Sequence, residues 1–115
     1  MCSSDLRDDL FERYVRSTDF IQQYIFPGGL LPSPGAFRAA AARAGLRVVA
    51  ELDFGLDYAE TLRRWRARFL GADAQVRQLG FDHRFMRIWE FYLGYCEAAF
   101  ATGNTSVMQF TLQRD

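Results

Sequence analysis

Two separate stretches of this 115-residue chain have the alternating apolar pattern of a β-strand, and helical patterns lie before and between them. The first covers residues 46–54 and the second residues 106–113. Two strands do not form a stable sheet unless helices cover them or further strands flank them. Strands that alternate with helices indicate a layered α/β fold, but neither strand leads through a glycine-rich turn into a helix. The pattern therefore predicts one part of a larger α/β fold, without its nucleotide-binding half.

Each predicted strand has one apolar face, because side chains alternate between the two sides of a sheet. In the second strand this face consists of Met108, Phe110 and Leu112. In the first strand it consists of Leu46, Val48, Ala50, Leu52 and Phe54.

Capping residues divide the helical patterns into separate helices. Ser33 is predicted to cap a helix that begins at the following proline and ends before Gly45. Asp57, with a glutamate three residues later, predicts the start of a helix that Gly80 ends, and Asp82 predicts the start of the next one. The last two helices are amphipathic, and from spacing alone the tyrosines and the cysteine on their apolar stripes are core residues. A further helix is predicted near the N-terminus, within residues 7–20.

The composition excludes several classes of function. The chain has 14 acidic and 14 basic residues, all of the latter arginine, so it has no net charge that would attract nucleic acid. Its single histidine and its two cysteines, Cys2 and Cys96, lack the spacing of metal ligands, and we expect no metal. No apolar run reaches the ~18 residues that span a bilayer, and the N-terminus has no signal pattern, which predicts a soluble cytoplasmic protein.

The stretch "FIQQYIFPGGLLPSPGAF", residues 20–37, combines four aromatic residues with three prolines and three glycines. The residue before a proline avoids the α region, so any helix in this stretch ends before Pro27. Surface loops are usually polar, and this apolar, rigid bend is therefore predicted to pack against a core or a ligand.

Three stretches, "YIFPGGLLPS", "DYAETLRRWRARFL" and "RIWEFYLGYCEAAF", together resemble one known family. Their order and spacing resemble the C-terminal part of the cyclopropane-fatty-acyl-phospholipid synthases, which are related to the mycolic acid cyclopropane synthases. The resemblance runs from about Arg7 to the C-terminus. Residues 7–115 are thus assigned to the C-terminal part of the methyltransferase domain, and residues 1–6 to a leader that does not match.

The resemblance implies a Rossmann-like class I methyltransferase fold, of which this chain would form the last helices, packed on a terminal strand pair. It implies an enzyme that uses S-adenosylmethionine to transfer a methylene unit to the cis double bond of a phospholipid acyl chain, with bound bicarbonate as the base. The glycine-rich cofactor loop and most of the bicarbonate site would lie upstream of the matching region. We therefore expect a fragment of an enzyme that is inactive alone.

The resemblance also assigns roles to individual residues. Tyr58 matches a tyrosine that helps to hold bicarbonate, and a phenolic O–H is a suitable donor to a carbonate oxygen. The apolar bend would form the wall of a lipid channel, where it excludes water and an aromatic face stabilises a developing carbocation. Alternatively, these residues only pack the core. The positions that match acyl-pocket residues are Phe26, Leu31, Leu62, Tyr92 and Cys96.

The partners implied by the resemblance are an unsaturated phospholipid acyl chain and the inner face of a membrane, to which the enzyme would bind peripherally. The full enzyme could also form a homodimer. Two other interpretations stay open. The chain could be a freestanding, non-catalytic module that binds lipid or pairs with a cofactor-binding subunit, and its two amphipathic helices also fit a protein-interaction domain without a lipid role.

Overall fold

The computed structural model describes residues 2–17 and 19–115. Among these residues, none of the helices has the length and apolar character needed to cross a membrane. The elements in chain order are β1 (Cys2–Leu6), α1 (Asp8–Val15), a π-helix (Ile21–Ile25), α2 (Pro34–Arg43), β2 (Leu46–Asp53), α3 (Gly55–Gly71), α4 (Asp73–Gln78), α5 (His83–Ala101) and β3 (Thr105–Arg114).

The strands form one antiparallel sheet in the order β1-β3-β2. Leu6 lies opposite Thr105 in the first pair of strands, and Leu46 lies opposite Arg114 in the second. The predicted α/β fold class is confirmed, since helices pack on this sheet. The last strand of the chain, β3, is central, so β1 and β2 both form their interstrand hydrogen bonds with it.

The strand β1 was not predicted, because "CSSDL" lacks the apolar alternation on which strand prediction relies. Backbone pairing with β3 holds it in the sheet. The Leu6 N–H also donates to the Pro32 carbonyl oxygen over 2.8 Å, and the Leu6 side chain is buried. Tertiary pairing thus makes a strand of a sequence with little intrinsic preference for one. The predicted terminal pair of strands is therefore part of a three-stranded sheet.

The predicted buried face of β2 is wrong beyond its middle. The pairing with β3 shifts between Val48 and Ala50, so that Val49 is an extra residue in this strand. Such a bulge breaks the simple alternation of faces. Leu52, which the alternation predicted to be buried, is 57% exposed.

The helix α3 begins two residues before the predicted cap, Asp57. It starts at Gly55, whose N–H donates to Asp53 Oδ1 over 3.0 Å, while the side chain of the N-cap residue Phe54 makes no capping hydrogen bond. The prediction of Asp57 as the N-cap is therefore wrong. Its predicted capping-box partner, Glu60, instead accepts hydrogen bonds from Arg63 at 2.7 Å and Arg64 at 2.9 Å.

The predicted helix that ends at Gly80 is divided into α3 and α4. The N–H of Ala72 lies 3.1 Å from the carbonyl oxygens of both Arg68 and Phe69. This sharing tightens and ends α3, as often occurs in a last helical turn. Gly80 follows α4 and has a φ of +98°. Glycine adopts such a positive φ readily and is therefore common just after the end of a helix.

The two sides of β3 pack against different helices. On one side, the stacked rings of Phe37 in α2 and Phe110 in β3 are 4.3 Å apart, and Phe110 is only 1% exposed. On the other side, α3 and α5 pack along each other and against Val107. The buried cluster there consists of Ala59, Leu62, Leu93, Phe100 and Val107.

Two predicted caps are confirmed. Ser33 Oγ accepts a hydrogen bond from the Ala36 N–H over 3.1 Å, and Asp82 Oδ1 accepts one from the Phe85 N–H over 2.8 Å. Each satisfies a backbone donor that has no partner within its helix.

We expect Asp82→Ala to lower the free energy of unfolding by about 1 kcal/mol, since the first turn of α5 would lose its cap. Asp57→Ala is the matched control, because Asp57 lies inside α3 and caps nothing with its side chain. Urea denaturation of both variants measures the difference. An equal effect of the two substitutions would contradict the cap assignment.

Candidate functional site

A mostly apolar cavity of about 340 Å³ lies between α1, the bend that follows the π-helix, and the facing sides of α3 and α5. Residues from β1 and β3 complete its lining. It combines a large apolar surface with a few polar groups, as ligand pockets do.

All the residues that the sequence analysis assigned to a site line this one cavity. Tyr58 and Leu62 come from α3, one helical turn apart, and Tyr92 and Cys96 come from α5 with the same spacing. The other two, Phe26 and Leu31, come from the bend.

The bend forms one wall of the cavity. The π-helix ends at Ile25, in agreement with the predicted stop before Pro27. Gly28 has a φ of +76°, which few other residues adopt, and the Gly29 N–H donates to the Phe26 carbonyl oxygen over 2.9 Å. This turn brings Phe26 edge-on towards Tyr92, with 6.3 Å between the ring centroids.

The helices α3 and α5 form the opposite wall. The Tyr58 ring packs edge-on against Phe100 at 4.9 Å and Trp65 at 6.0 Å. Leu62 is only 2% exposed and belongs to the buried cluster, against which Tyr58 and Tyr92 pack. These residues are therefore part of the core and of the cavity wall at once, so the packing and binding interpretations do not exclude each other.

The titratable groups of this wall are neutral at physiological pH. Burial raises the pKa of the Tyr58 phenol, with a smaller contribution from Cys96. Burial also raises the pKa of Tyr92 to about 12 and that of the Cys96 thiol to about 11, although a hydrogen bond with Tyr92 lowers the latter in part. The wall therefore presents phenolic O–H groups and a thiol, without a thiolate nucleophile.

Such a wall suits an uncharged hydrocarbon chain. Apolar side chains gain about 25 cal/mol per Å² when a ligand covers them. Aromatic faces can also stabilise a positive charge that develops on such a ligand.

Six further polar residues line the cavity and were not predicted from the sequence, namely Ser4, Tyr14, Asp19, Gln22, Tyr95 and Thr105. Tyr14 lies on the predicted N-terminal helix, and its hydroxyl accepts a hydrogen bond from the Leu31 N–H over 3.1 Å. Its helical spacing was a signal of burial but did not show which residue it would contact.

The cavity lining offers hydroxyl donors that suit a carbonate oxygen, but it also contains the acidic side chain of Asp19. The Tyr58 hydroxyl can donate to a carbonate oxygen, and within residues 2–17 and 19–115 the structure shows no hydrogen bond that already occupies it. No arginine or histidine of the described part lines the cavity, so the lining offers no cation to bicarbonate. For S-adenosylmethionine, the chain has no glycine-rich phosphate-type or nucleotide loop, and we assign none of its residues to that cofactor.

We expect Cys96 to react with iodoacetamide about two orders of magnitude more slowly than an ordinary thiol at pH 8. Only the thiolate reacts, and a pKa raised from 9.0 to about 11 lowers the thiolate fraction by that factor. The reaction should accelerate up to about pH 11. Mass spectrometry of a Cys2→Ser variant would measure it, and a rate that levels off near pH 9 would contradict the burial of this thiol.

The family model described as mycolic acid cyclopropane synthetase matches residues 3–110. This match begins before Arg7, where the resemblance in the sequence was placed, and it includes most of β1. The bend, α3 and α5, which line the cavity, all lie within it.

Relatives with assigned names are similar over most of the chain. A tuberculostearic acid methyltransferase of Mycobacterium tuberculosis is 48% identical over 97 residues, which are 84% of this chain and 23% of that protein. A cyclopropane-fatty-acyl-phospholipid synthase of Escherichia coli is 35% identical over 97 residues, which are 83% of this chain and 24% of that protein. The chain thus spans about a quarter of the length of these curated relatives.

A solved structure has the same fold. It is a mycolic acid cyclopropane synthase complexed with SAH and CTAB, and it superposes with a TM-score of 0.85 at 26% sequence identity. The match covers 98% of this chain and 42% of that one.

Proposed function

Because this chain belongs to the mycolic acid cyclopropane synthetase family, we propose that it forms the acyl-binding part of an S-adenosylmethionine-dependent lipid methyltransferase. The proposed reaction is the transfer of a methylene unit to the cis double bond of a phospholipid acyl chain. The observation that carries this proposal is that Tyr58 and the five positions matched to acyl-pocket residues line one apolar cavity.

The lining explains how an acyl chain would be held. Leu62 and the bend supply apolar contact on opposite sides, and the neutral Tyr92 and Cys96 add no charge that an acyl chain would have to desolvate. A bound acyl chain excludes water from the part of the cavity that it fills. A double bond held there would be protected from side reactions when positive charge develops.

Tyr58 is the proposed catalytic residue of this chain. Its hydroxyl stays protonated, because burial raises its pKa, and it can therefore donate a hydrogen bond within the cavity. We propose that it holds one oxygen of bicarbonate, which would serve as the base when bound. The remaining bicarbonate contacts, and all contacts to S-adenosylmethionine, would come from residues that this chain does not contain, so that the chain alone would be inactive.

Other features of the proposed enzyme follow from its substrate. Phospholipid acyl chains reside in membranes, so we propose that the enzyme binds peripherally to the inner face of the membrane. A homodimer of the complete enzyme stays a prediction.

Binding of oleate to the 115-residue chain tests the proposal directly. We expect isothermal titration calorimetry, performed below the critical micelle concentration, to show one site per chain. Phe26→Ala should weaken this site about tenfold, since it removes an aromatic side chain that lines the cavity. Phe26 is 58% exposed, so this truncation should leave the fold intact.

Leu79→Ala is the matched control, because Leu79 is 77% exposed and does not line the cavity. It should bind oleate as the unchanged chain does. An absence of oleate binding, or an equal loss in both variants, would overturn the acyl-binding assignment. Oleate binding without methyl transfer by the complete protein would favour the freestanding lipid-binding module.

A further inference from the structure

The wall formed by the bend has little regular secondary structure of its own. Between the π-helix and α2, residues 26–33 form a turn followed by a segment without regular secondary structure. The internal hydrogen bond from the Gly29 N–H to the Phe26 carbonyl oxygen closes the turn but does not tie it to the rest of the protein. What fixes this wall relative to the facing helices must therefore come from outside it.

The hydrogen bond from the Leu6 N–H to the Pro32 carbonyl oxygen ties the end of the bend to β1. Two side chains hold the bend at earlier points, next to Phe26 and Leu31. Gln22 Nε2 donates to the Gly29 carbonyl oxygen over 2.9 Å. Two residues further on, the Leu31 N–H donates to the Tyr14 hydroxyl over 3.1 Å. Both hydrogen bonds are partly buried, and both side chains line the cavity, so they act at the wall itself.

The amide of Gln22 is itself held in one orientation. Gln22 Oε1 accepts a hydrogen bond from the Asp19 N–H over 3.0 Å, and the Gln22 N–H donates to Asp19 Oδ1 over 2.8 Å. Because the amide oxygen is occupied by a donor, the amide NH₂ group must face the Gly29 carbonyl oxygen. Gln22 therefore links the start of the π-helix to the tip of the bend.

The π-helix places Gln22 for this contact. The Phe26 N–H donates to the Ile21 carbonyl oxygen over 2.7 Å, which is the i to i+5 bond of a π turn. Such wide turns are rare and occur frequently at functional sites. Here Ile21 and Gln22 line the cavity, whereas Gln23 is exposed and does not.

We propose that Gln22 and Tyr14 are positioning residues that set the width of the acyl pocket and thereby its preference for a bent, cis-unsaturated chain. They hold Phe26 and Leu31 at a fixed distance from Tyr58 and the facing helices. When the wall is held in place, no binding free energy is spent on ordering it. An acyl chain whose shape matches the pocket then binds more tightly than one whose shape does not. A loosened wall adapts to straight and bent chains alike. This inference rests on the proposed function, since it concerns the same cavity.

The test compares the affinities for oleate and stearate, which have the same length and differ in the cis double bond. The protein without substitutions should bind oleate at least about fivefold more tightly than stearate. Gln22→Leu keeps the approximate size of the side chain and removes its hydrogen bonds, and it should bring this ratio close to one. Gln23→Leu is the matched control, since the neighbouring glutamine is exposed, and it should keep the ratio.

A second pair of variants serves if Gln22→Leu does not fold. Tyr14→Phe removes only the hydroxyl that accepts from Leu31, and it should lower the ratio, whereas Tyr24→Phe, at an exposed position, should keep it. A merely structural role would lower both affinities together and leave their ratio unchanged, which would overturn the inference. Equal binding of oleate and stearate by the unchanged chain would also overturn it. An absence of oleate binding would instead overturn the proposed function.

Discussion

Tyr58→Phe is expected to lower the turnover of the complete enzyme by at least about 100-fold, with almost no change in its melting temperature. Loss of one hydrogen-bond donor that is preorganised at a reacting group lowers the rate by about 10²–10³-fold. The hydroxyl that is lost is the proposed bicarbonate contact. The ring that is kept makes the edge-on contacts to Phe100 and Trp65, so packing should be preserved.

Transfer of the labelled methyl carbon from S-adenosylmethionine to an oleoyl phospholipid measures the first effect, and calorimetric melting measures the second. Tyr24→Phe is the control, because this exposed tyrosine does not line the cavity. Unchanged turnover in Tyr58→Phe would remove Tyr58 from the catalytic machinery. A large fall in melting temperature would indicate instead that its hydroxyl stabilises the fold.

Gly55→Ala is expected to destabilise the chain by about 1–3 kcal/mol, as overpacking of a dense region does. A Cβ at this position would lie 2.5 Å from Ser106 Oγ and 3.1 Å from Ser106 Cα. Ser106 cannot move away easily, because it belongs to the central strand and donates a hydrogen bond to Asp53. The start of α3 would have to shift, and with it the cavity wall that carries Tyr58.

Gly71→Ala provides the comparison, since nothing lies within 4 Å of a Cβ at this position, the last residue of α3. Alanine in a helix is favoured over glycine by about 0.5–1 kcal/mol, so this variant should be no less stable than the unchanged chain. Urea denaturation of both variants gives the two values. Equal midpoints for the two variants would show that α3 and β3 do not approach as closely as the structure indicates.

Local sequence signals predicted several helix ends, but they missed the break between α3 and α4 and the helix start that distant contacts set. Ser33 and Asp82 cap their helices as predicted, because a side chain that caps needs only a backbone donor three residues away. Asp57 does not cap, because Asp53 and the approach of β3 start α3 earlier. The strand β1 was missed for the same reason, since its hydrogen bonds with β3 join residues that are about a hundred positions apart.

In the candidate site, too, local sequence signals predicted some features and missed those that depend on distant contacts. Spacing placed Tyr58 and Leu62 on one face of α3, and Tyr92 and Cys96 on one face of α5, but spacing alone assigned them to the core. The resemblance to a family predicted a bicarbonate contact at Tyr58 and acyl-pocket positions at the other three, and the structure brings all four to one cavity. The contacts of Tyr14 and Gln22 with the bend had no signal in the sequence, because a hydrogen bond to a backbone atom does not depend on the identity of the residue that carries it.

The order of residues was enough to determine the helical regions, though not the division of one of them into α3 and α4, and also two of the three strands, the apolar bend and the family. Each depends on periodicity, capping or motif spacing, which act over a few neighbouring residues. Tertiary structure alone decided that β3 is central, that β1 joins the sheet, and that the bend faces α3 and α5 across a cavity. These features depend on which distant surfaces bury each other, and many sequences with the same local patterns could satisfy that requirement in other ways.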